Sequence, residues 1–449
     1  MTLIKSISGI RGIVDISLNS DLIIKYVQAF SQISPNGRIL LARDTRNSGE
    51  KYISMAANIL NQLNRDVINC DIVPTPTAQF IISKNDYAGG IVFTASHNPS
   101  NWNGIKFINS KGIFIDQEMF DQLELNYNSL KKNSFNLSSK SIKEYSIKSI
   151  NAHIENTINL SVVDKKLIRK KQFCVVVDCA NGATSVALPK LLDRLNCKVI
   201  KINSTYNEDF GRSPEPIPAN ITDLSKSVIE NKADIGFATD PDGDRLSIVD
   251  NLGTPLGEEL TLGFCVYYIL KFFPKLRKMP IVSNLSTSMI SEKISNIYDA
   301  TYLRTSVGEI NVVKRMEKEN STIGGEGNGG IILKESHLGR DALVGVGIIL
   351  SMLSKESLSI NKIFETFPKF YIEKSSIPLK NTRGDVTLKL KKIFSDQNII
   401  ETDGLKIIWE NEWVHIRKSN TEPILRIISE SKSKIKSKEL ISRIKNEIN

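Results

Sequence analysis

The chain contains 449 residues, of which 41% are hydrophobic and 24% are charged, a composition that is typical of globular proteins and excludes wholesale disorder. Its length corresponds to about three domains, and its formal net charge of +10 is compatible with binding to nucleic acid, an anionic membrane or phosphorylated substrates. The N-terminus lacks the pattern of a signal peptide and no run reaches 18 apolar residues, so we expect a cytoplasmic protein without a transmembrane helix.

Apolar strand-like runs alternate with helical patterns along the chain, which predicts an α/β fold. In the first part, strands are predicted at 38–43 and 89–95 and a helix at 49–64, and the segments GIKFIN and KGIFI are predicted to form a short hairpin. Residues 129–172 are rich in Ser, Lys, Asn and Ile, and they are predicted to hold solvated helices and a linker.

A second unit begins near Gln172 with the order strand, loop, helix, strand, which is a βαβ unit. Two predicted strands around an acidic loop follow it. A third unit begins near Gly257 and contains a predicted strand at 280–285, a glycine-rich segment and a helix at 342–353. Units two and three therefore share a strand–helix–strand plan. The C-terminal part contains two predicted strands around a polar loop and a Lys-rich amphipathic helix.

The five cysteines form no Cys-x-x-Cys pair. Cys174 and Cys197 lie in strand-like runs and Cys265 lies in a helix-like run, so we predict buried, reduced thiols of the kind found in cytosolic proteins. The four histidines are too few for a histidine-rich metal site.

The acidic loop places carboxylates at every second position, Asp240, Asp242 and Asp244, directly after an apolar strand. The Pro and Gly between them allow the loop to curl around one point. Carboxylates packed together raise each other's pKa unless a cation neutralises them, and oxygen-only ligands suit Mg²⁺. The alternative is an exposed acidic turn. An EF-hand does not fit, because no Glu lies at loop position twelve.

Ser96 and His97 follow the predicted strand at 89–95, at the strand end where α/β sheets bind ligands. The hydroxyl can act as a nucleophile or carry a phosphate, with the imidazole as a nearby acid or base. An ordinary Ser/Asn/Pro turn is the alternative. A hydrolase-type triad does not fit, because no Gly-x-Ser-x-Gly motif surrounds Ser96.

Five glycines among the seven residues 324–330 predict a loop with close backbone approach. Glu326 and Asn328 project from this loop, and a carboxylate beside an amide suits bidentate hydrogen bonding to the vicinal hydroxyls of a sugar. A flexible hairpin turn is the alternative. The pattern is neither a dinucleotide-binding motif nor a P-loop.

Arg417 and Arg426 bracket small polar residues between two predicted strands near the C-terminus. Guanidinium groups, hydroxyls and loop amides together suit a phosphate dianion, and a basic turn is the alternative. Two weaker motifs place Arg11 between glycines and Arg43 and Arg46 after a strand. Each of these alone is typical of a structural role.

Together, these loops suggest phosphoryl transfer to a phosphorylated polyol, with Ser96 as the phosphorylated residue and Mg²⁺ polarising the transferring group. A non-catalytic binder of nucleic acid or of an anionic surface is suggested only by the net charge. The sequence lacks the basic clusters with interleaved aromatic residues that such a binder would have. A phosphatase is the third alternative, but the sugar and phosphate loops favour retention of the transferred group.

The motifs SGIRG, TASHNP with NGIKF, DPDGDR, GEGNGG and R-x-SNTEP-x-x-R occur in this order over essentially the whole chain. This set resembles the α-D-phosphohexomutase family, which includes phosphoglucomutases, phosphomannomutases and phosphoglucosamine mutases. The resemblance implies an α/β protein of four domains around a central cleft. Three related mixed α/β domains at 1–150, 151–253 and 254–370 would carry the phosphoserine, metal and sugar-binding loops. A smaller, mobile α+β cap at 371–449 would carry the phosphate-binding loop.

The resemblance also implies a role for each site residue. Ser96 would be the phosphoserine and would bind one Mg²⁺ together with Asp240, Asp242 and Asp244. The transfer site would be lined by Arg11, His97, Lys106 and Arg245, of which His97 and Lys106 are the candidates for acid/base work. The residues implied to bind substrate are Arg43, Gly308, Glu326, Asn328, Arg417, Ser419, Asn420, Thr421 and Arg426.

The implied reaction interconverts hexose 6-phosphate and hexose 1-phosphate in two transfers. Phosphorylated Ser96 gives its phosphoryl group to the substrate, and the resulting hexose 1,6-bisphosphate turns around in the cleft and returns its other phosphate. The bisphosphate would also be the activator. We expect a phosphosugar as the partner, neither nucleic acid nor a membrane, and a monomer or homodimer.

Departures from the family pattern bear on the sugar. Many bacterial members have Gly-Glu-x-Ser-Gly-His in the sugar loop, where Asn328 and Gly330 stand here at the Ser and His positions. The last loop reads Ser-Asn-Thr, where many phosphoglucosamine mutases have Ser-Gly-Thr. These features resemble a branch with phosphoglucosamine mutases beside archaeal-like phosphomannomutases and phosphopentomutases. They favour glucosamine phosphate narrowly, with mannose or glucose phosphate as the alternative.

The positive charge of the chain is interpreted as two sets of residues, scattered lysines and a small group of arginines near the motifs. The chain has 17 Arg and 42 Lys, and the lysines scatter, many of them in 131–171 and the terminal helix. The net charge is therefore interpreted as a mostly solvated lysine surface around a small arginine set that serves a phosphosugar dianion. Seven arginines lie in or beside the motif loops: Arg11, Arg43, Arg46, Arg245, Arg340, Arg417 and Arg426.

Overall fold

In the computed structural model, which describes residues 3–131, 135, 145–379, 386–419 and 424–448, the chain forms four β-sheets in succession. These sheets have six, four, four and five strands. Helices lie between the strands of each sheet in the sequence and pack on the sheets.

The first sheet has the strand order β1-β2-β6-β5-β3-β4. The strands predicted at 38–43 and 89–95 and the helix predicted at 49–64 are present as β3, β5 and α2. The elements of this domain are β1 (Ile4–Ser6), β2 (Gly9–Ile13), α1 (Ser20–Ile33), β3 (Ile39–Arg43), α2 (Ser48–Gln62), β4 (Val67–Ile72), α3 (Thr75–Lys84), β5 (Gly89–Phe93), β6 (Trp102–Asn109) and α4 (Gln117–Ser129).

The second and third sheets have the orders β10-β9-β7-β8 and β12-β11-β13-β14. The βαβ unit predicted near Gln172 is present as β7, α7 and β8. The elements of this part are α5 (Ser146–Ile158), α6 (Lys165–Lys171), β7 (Cys174–Asp178), α7 (Thr184–Arg194), β8 (Lys198–Ile202), α8 (Thr222–Glu230), β9 (Ile235–Thr239), β10 (Leu246–Val249), α9 (Glu259–Phe272), β11 (Ile281–Asn284), α10 (Met289–Ile297), β12 (Tyr302–Thr305), α11 (Glu309–Lys318), β13 (Ile323–Glu326), β14 (Gly330–Leu333), α12 (Ala342–Glu356) and α13 (Ile360–Glu365).

The C-terminal sheet is entirely antiparallel, with the order β15-β19-β18-β17-β16. The two strands and the amphipathic helix predicted near the C-terminus are present as β18, β19 and α15. The elements of this cap are β15 (Tyr371–Pro378), α14 (Val386–Ile393), β16 (Asn398–Ile400), β17 (Leu405–Ile408), β18 (Trp413–Lys418), β19 (Ile424–Ser431) and α15 (Lys434–Ile448).

The first three domains share one sheet plan. In each of them, a central strand pairs in parallel with two neighbours: β3 with β4 and β5, β7 with β8 and β9, and β11 with β12 and β13. An antiparallel strand then follows the third parallel strand, as β6, β10 or β14. Every residue of β5 and β9 is buried, which is typical of strands covered by helices on both faces.

The buried apolar side chains form one large cluster across the first three domains, smaller clusters within them and a separate cluster in the cap. The largest cluster of buried apolar side chains extends from Leu40 to Phe367 and so includes residues of the first three domains. The cap has its own cluster, formed by residues between Ile377 and Ile448. All five cysteines are free thiols. Four of them are buried, as predicted, whereas Cys174 is half-buried.

Of two predictions for the segments around the first domain, the short hairpin is confirmed and the solvated helix is wrong. KGIFI is not a regular strand, but it pairs antiparallel with the end of β6 through the bridge between Ile108 and Phe114. Backbone hydrogen bonds from Asn109 to Ile113 and from Ile115 to Phe107 complete the predicted short hairpin. Helix α5 was predicted to be solvated, but seven of its residues are buried because it packs on α3, α7 and α12. Residues 132–134 and 136–144, also predicted to belong to the solvated stretch, lie outside the described residues.

The described helices do not include one with the length and apolar character needed to cross a membrane.

A buried cluster around Asp341 joins α3, α5 and α12. Oδ1 of Asp341 accepts hydrogen bonds from the first turn of α12, and Oδ2 accepts from Nε2 of His153 at 2.8 Å and Nε2 of His337 at 3.0 Å. Nδ1 of His153 lies 2.9 Å from the hydroxyl of Thr77. Burial alone would raise the pKa of Asp341, but the two imidazoles hold that pKa well below its usual range. The cluster therefore fixes three helices around one carboxylate.

Replacing Asp341→Ala is expected to destabilise the protein strongly. The change removes a helix cap and leaves two buried imidazole N–H groups without their acceptor, which costs about 2 to 5 kcal/mol of the free energy of unfolding. Urea unfolding measures the effect, with the exposed Asp121→Ala in α4 as the matched control. A variant that unfolds at the same urea concentration as the wild type would contradict the role given to this cluster.

Candidate active site

Three of the predicted functional loops begin at the equivalent position of three different sheets. The serine loop follows β5, the acidic loop follows β9 and the glycine-rich loop follows β13, which is the third parallel strand of each domain. In α/β sheets, the carboxyl ends of parallel strands are where ligands bind. The shared plan therefore places each loop at the functional edge of its own sheet.

Ser96 lies in the serine loop with a left-handed backbone (φ 50°) and is almost completely buried. Its Oγ donates a hydrogen bond to Oδ2 of Asp240 at 2.9 Å and lies 3.3 Å from Nδ1 of His97. Its backbone N–H donates to the hydroxyl of Thr94. The serine hydroxyl is thus aimed from the first domain at the acidic loop of the second.

Arg46 holds the serine loop in shape. The sequence grouped it with the arginines that serve a phosphosugar dianion, but its Nε and both its amino groups donate to the protein. Its side chain is 1% exposed, and its Nε donates to Oδ2 of Asp44 at 2.9 Å. Its two amino groups donate to four backbone carbonyl groups at 2.6–2.9 Å. Because every residue has a backbone carbonyl group, a sequence pattern cannot reveal such contacts. The four acceptors are the carbonyl oxygens of Ser96, Asn98, Pro99 and Trp102.

The carboxylates of Asp240, Asp242 and Asp244 are buried and lie within 4.8 Å of one another. Nζ of Lys106, on β6, donates to Asp242 at 2.6 Å and to Asp244 at 3.1 Å. Burial, then Asp244 and Asp242, raise the pKa of Asp240 well above its usual value. For Asp244, burial is outweighed by Arg340 and Lys106, which lower its pKa. The cluster is therefore crowded with negative charge that its cations balance only in part.

The donor set fits a hard divalent cation such as Mg²⁺. Among the described residues, Oδ1 of Asp242 and Oδ1 of Asp244 are buried without a hydrogen-bond partner, and all the candidate ligand atoms are oxygens. Thr75 positions Asp242 by donating to its Oδ2 through the hydroxyl at 2.8 Å and to its carbonyl oxygen through the backbone N–H at 2.9 Å. Asp240, Asp242 and Asp244, with Ser96, are the residues that would hold the cation.

Arg340 connects the acidic loop to the glycine-rich loop. Its Nη2 donates to Asp244 at 2.6 Å, its Nη1 donates to Glu326 at 2.8 Å, and its Nε donates to Glu309 at 2.9 Å. The sequence grouped Arg340 with the arginines that serve a phosphosugar dianion, but its Nε and both its amino groups donate to carboxylates of the protein instead. Its three carboxylate partners lie 14 to 96 residues away in the sequence, so no local motif contains them.

The glycine-rich loop is a tight hairpin connection between β13 and β14. Glu326 is 4% exposed and already accepts hydrogen bonds from Asn284, the N–H of Gly308, Arg340 and Asn328. Gly308 has a positive φ of 123° at the start of α11. Any contact of Glu326 with a sugar hydroxyl would therefore be made by a carboxylate whose position the protein has fixed.

The remaining transfer-site candidates lie around the same point. Arg11 donates to Oδ1 of Asn98 at 3.2 Å, and Arg245 donates to Glu215 at 2.8 Å. The backbone N–H of Arg245 also donates to Oδ1 of Asp240 at 3.1 Å. Burial, then Arg245 and Arg11, hold the pKa of His97 well below its usual value, so this imidazole is neutral at pH 7.

The predicted phosphate loop connects β18 and β19 of the cap. Arg417 and Arg426 are directly opposite each other in these strands, and Nε of Arg426 donates to the hydroxyl of Ser419 at 3.3 Å. Asn420 and Thr421 lie outside the described residues. The hydrogen bonds of Arg43 go to Asp71 and to a backbone carbonyl group, so its substrate-binding role stays a prediction.

Family models for phosphoglucomutase/phosphomannomutase match the chain in order. The alpha/beta/alpha domains I, II and III match at 3–134, 151–253 and 258–371, and the C-terminal domain matches at 377–447. The chain belongs to the phosphoglucomutase/phosphomannomutase family. Membership in these α-D-phosphohexomutases confirms the predicted resemblance, the four-domain α/β architecture and an enzyme of the isomerase class. The predicted domain boundaries stay a prediction.

Full-length relatives show the same relationship. The phosphoglucosamine/phosphogalactosamine mutase of Sulfurisphaera tokodaii is 30% identical over 97% of each chain. The phosphoglucomutase/phosphomannomutase of Thermococcus kodakarensis is 32% identical over 96% of this chain and 95% of its own. The crystal structure of a phosphoglucomutase/phosphomannomutase family protein from Burkholderia thailandensis has the same fold, with a TM-score of 0.84 at 22% identity over 99% of this chain and 97% of its own.

Replacing Asp240→Asn is expected to separate metal binding from the stability of the metal-free protein. At pH 7 without divalent cations, the melting temperature should not fall, because the substitution removes a crowded carboxylate whose pKa is raised by burial and by Asp244 and Asp242. The increase that Mg²⁺ gives to the wild type should largely disappear. Thermal melts with and without Mg²⁺ measure both effects. The exposed Asp223→Asn is the control, and an unchanged Mg²⁺ response of Asp240→Asn would contradict the assignment.

Replacing Arg340→Lys is expected to lower kcat/KM by about 10- to 100-fold and to weaken Mg²⁺ binding, because one ammonium group cannot bridge three carboxylates. Steady-state kinetics and Mg²⁺ titration measure the two effects. The exposed Arg169→Lys should behave like the wild type. Retention of full activity by Arg340→Lys would show that the bridge between the two loops is dispensable.

Proposed function

We propose that the chain interconverts hexose 6-phosphate and hexose 1-phosphate through phosphorylated Ser96 and a hexose 1,6-bisphosphate, with glucosamine phosphate as the preferred substrate. The observation that carries this proposal is the contact of the Ser96 hydroxyl with a buried carboxylate cluster that Lys106 also contacts. A single serine at a cation site suits a reaction in which the serine gives its phosphoryl group to a bound sugar phosphate and later takes the other phosphoryl group back from the same molecule.

In the first transfer, the bond between phosphorus and Oγ of Ser96 breaks while a bond from phosphorus to the substrate hydroxyl oxygen forms. The hydroxyl proton passes to Oγ of Ser96, and the neutral imidazole of His97, 3.3 Å from that oxygen, is placed to relay it. Burial alone would lower the pKa of Lys106, but Asp242 and Asp244 outweigh it and raise that pKa. Lys106 was a candidate for acid/base work, and as an ammonium it would instead stabilise negative charge. The second transfer reverses these changes at the other phosphate.

We propose one Mg²⁺ per active site, held by Ser96, Asp240, Asp242 and Asp244. When bound, it would neutralise charge on the transferring phosphoryl group. The excess negative charge of the aspartate cluster supports this assignment, and hexose 1,6-bisphosphate is the activator that would restore the phosphoserine.

Substrate recognition divides into a sugar side and a phosphate side. Glu326, Asn328 and Gly308 would contact the sugar, and Arg417, Ser419, Asn420, Thr421 and Arg426 would bind the phosphate that is not reacting. Because the bisphosphate presents each of its ends in turn, these residues must accept two orientations of one molecule. A phosphosugar is thus the proposed partner, and the protein would act on it without nucleic acid or a membrane, as a monomer or homodimer.

The choice of sugar rests on the pattern of the loops and on the relatives. The glycine-rich loop has Asn328 and Gly330 where many bacterial members have Ser and His, and a 30% identical relative is named a phosphoglucosamine/phosphogalactosamine mutase. The alternative is a phosphomannomutase or phosphoglucomutase, which is favoured by the name of the 32% identical relative from Thermococcus kodakarensis.

The proposal is tested by incubating the protein with glucosamine 6-phosphate, mannose 6-phosphate and glucose 1-phosphate, each with Mg²⁺ and hexose 1,6-bisphosphate. We expect the highest kcat/KM for glucosamine 6-phosphate. Ser96→Ala should lose nearly all turnover because it has no oxygen to carry the phosphoryl group. The absence of turnover with every sugar, or wild-type turnover by Ser96→Ala, would overturn the proposal, and a preference for mannose or glucose would select the alternative.

A further inference from the structure

One carboxylate of the cap contacts both the third domain and a predicted phosphate ligand. Asp403 lies in the turn between β16 and β17. Its Oδ2 accepts a hydrogen bond from the backbone N–H of Val307 at 2.8 Å, and its Oδ1 accepts one from Nε of Arg417 at 3.1 Å. The arginine side chain is 8% exposed and the aspartate side chain is 19% exposed, so the pair is largely shielded from water.

The two partners of Asp403 belong to opposite sides of the proposed substrate site. Val307 immediately precedes Gly308, whose N–H donates to Oε1 of Glu326 at 3.1 Å on the sugar side. Arg417 belongs to the phosphate side. Two hydrogen bonds therefore connect these sides through a single carboxylate.

The backbone of Asp403 is itself fixed. Nε2 of His415 lies 2.6 Å from the carbonyl oxygen of Asp403, and since a carbonyl oxygen only accepts, Nε2 is the donor. Burial lowers the pKa of His415 to about 4, so its other nitrogen is an acceptor at neutral pH and receives the hydroxyl of Ser286 at 2.9 Å. Gly404 continues the turn with φ 72°, and a Cβ there would collide with the carbonyl oxygen of Ile416.

We propose that Asp403 is a positioning residue that sets the orientation of Arg417 and its separation from the sugar side of the site. This inference rests on the proposed function, because it takes Arg417 as a ligand of the non-reacting phosphate. The contact to Asp403 uses Nε and does not require the two Nη amino groups, which are the donors for a bidentate contact with a phosphate. A fixed separation between Arg417 and the sugar side matters most for the bisphosphate, because these residues must bind it in either of its two orientations.

The test is Asp403→Asn, because the amide replaces one of the two acceptor oxygens with an NH2 group, which cannot accept the hydrogen bond that this oxygen receives from Val307 or Arg417. We expect KM for glucosamine 6-phosphate to rise roughly 10-fold and more bisphosphate to escape per turnover. The turnover number with saturating substrate and bisphosphate should stay within about threefold of the wild type. Asp396→Asn, an exposed substitution in the same cap, should change none of these values.

A double-mutant cycle with Arg417→Ala decides whether Asp403 acts through the arginine. If it does, Asp403→Asn raises KM in the wild type and adds little in the Arg417→Ala background. An equal rise in both backgrounds, or no rise in the wild type, would overturn the inference. Thermal melts verify that each variant is folded. Asp403→Glu, which keeps two acceptor oxygens at a different reach, carries the same expectation if Asp403→Asn does not fold.

Calorimetry with glucosamine 6-phosphate distinguishes this inference from the proposed function. If Arg417→Ala binds the sugar phosphate as tightly as the wild type, the assignment of the phosphate site is wrong, and the inference that rests on it fails as well. If Arg417→Ala weakens binding while Asp403→Asn binds and turns over like the wild type, the phosphate site stands and only the positioning role is wrong.

Discussion

The structure depends on how three buried carboxylates are neutralised. Asp240, Asp242 and Asp244 belong to the second domain, but the cations that contact them most closely are Lys106 of the first domain and Arg340 of the third. A buried charge that loses its partner is far more costly than an exposed one. The three domains must therefore meet with these side chains in register, and the geometry of the active site follows from the requirement to balance charge in the interior.

A repeated sheet plan explains how distant motifs reach one site. Each of the first three domains has three parallel strands followed by an antiparallel strand, and the connection between the last two carries the functional loop. None of these loops is a complete site. Ser96 lacks a cation site of its own, and the acidic loop lacks a nucleophile. Function therefore arises only where the carboxyl ends of the three sheets face one another.

The sequence predicted what depends on local pattern. Buried strands such as β5 and β9 were visible as apolar runs, and Ser96 and Asp240 were visible because they directly follow such runs. The roles of Arg46 and Arg340 could not be predicted, because their partners are backbone carbonyl groups or carboxylates that only the tertiary fold brings near. The same reason explains α5, whose polar residues include His153 and Thr157 in the interior. Burial of polar groups is decided by partners elsewhere in the chain.

The separate apolar core of the cap has a consequence for cooperativity. One large apolar cluster extends across the first three domains beside smaller clusters within them, whereas the cap encloses its own cluster, and polar contacts such as those of Asp403 and Lys406 connect the cap to the third domain. Elements that share buried apolar surface open together, and elements joined by polar contacts can open alone. Backbone amides of β17 and β18 should therefore exchange with solvent through a subglobal opening of the cap, at a lower free energy than the amides of β7 or β11, which exchange only when the larger block opens.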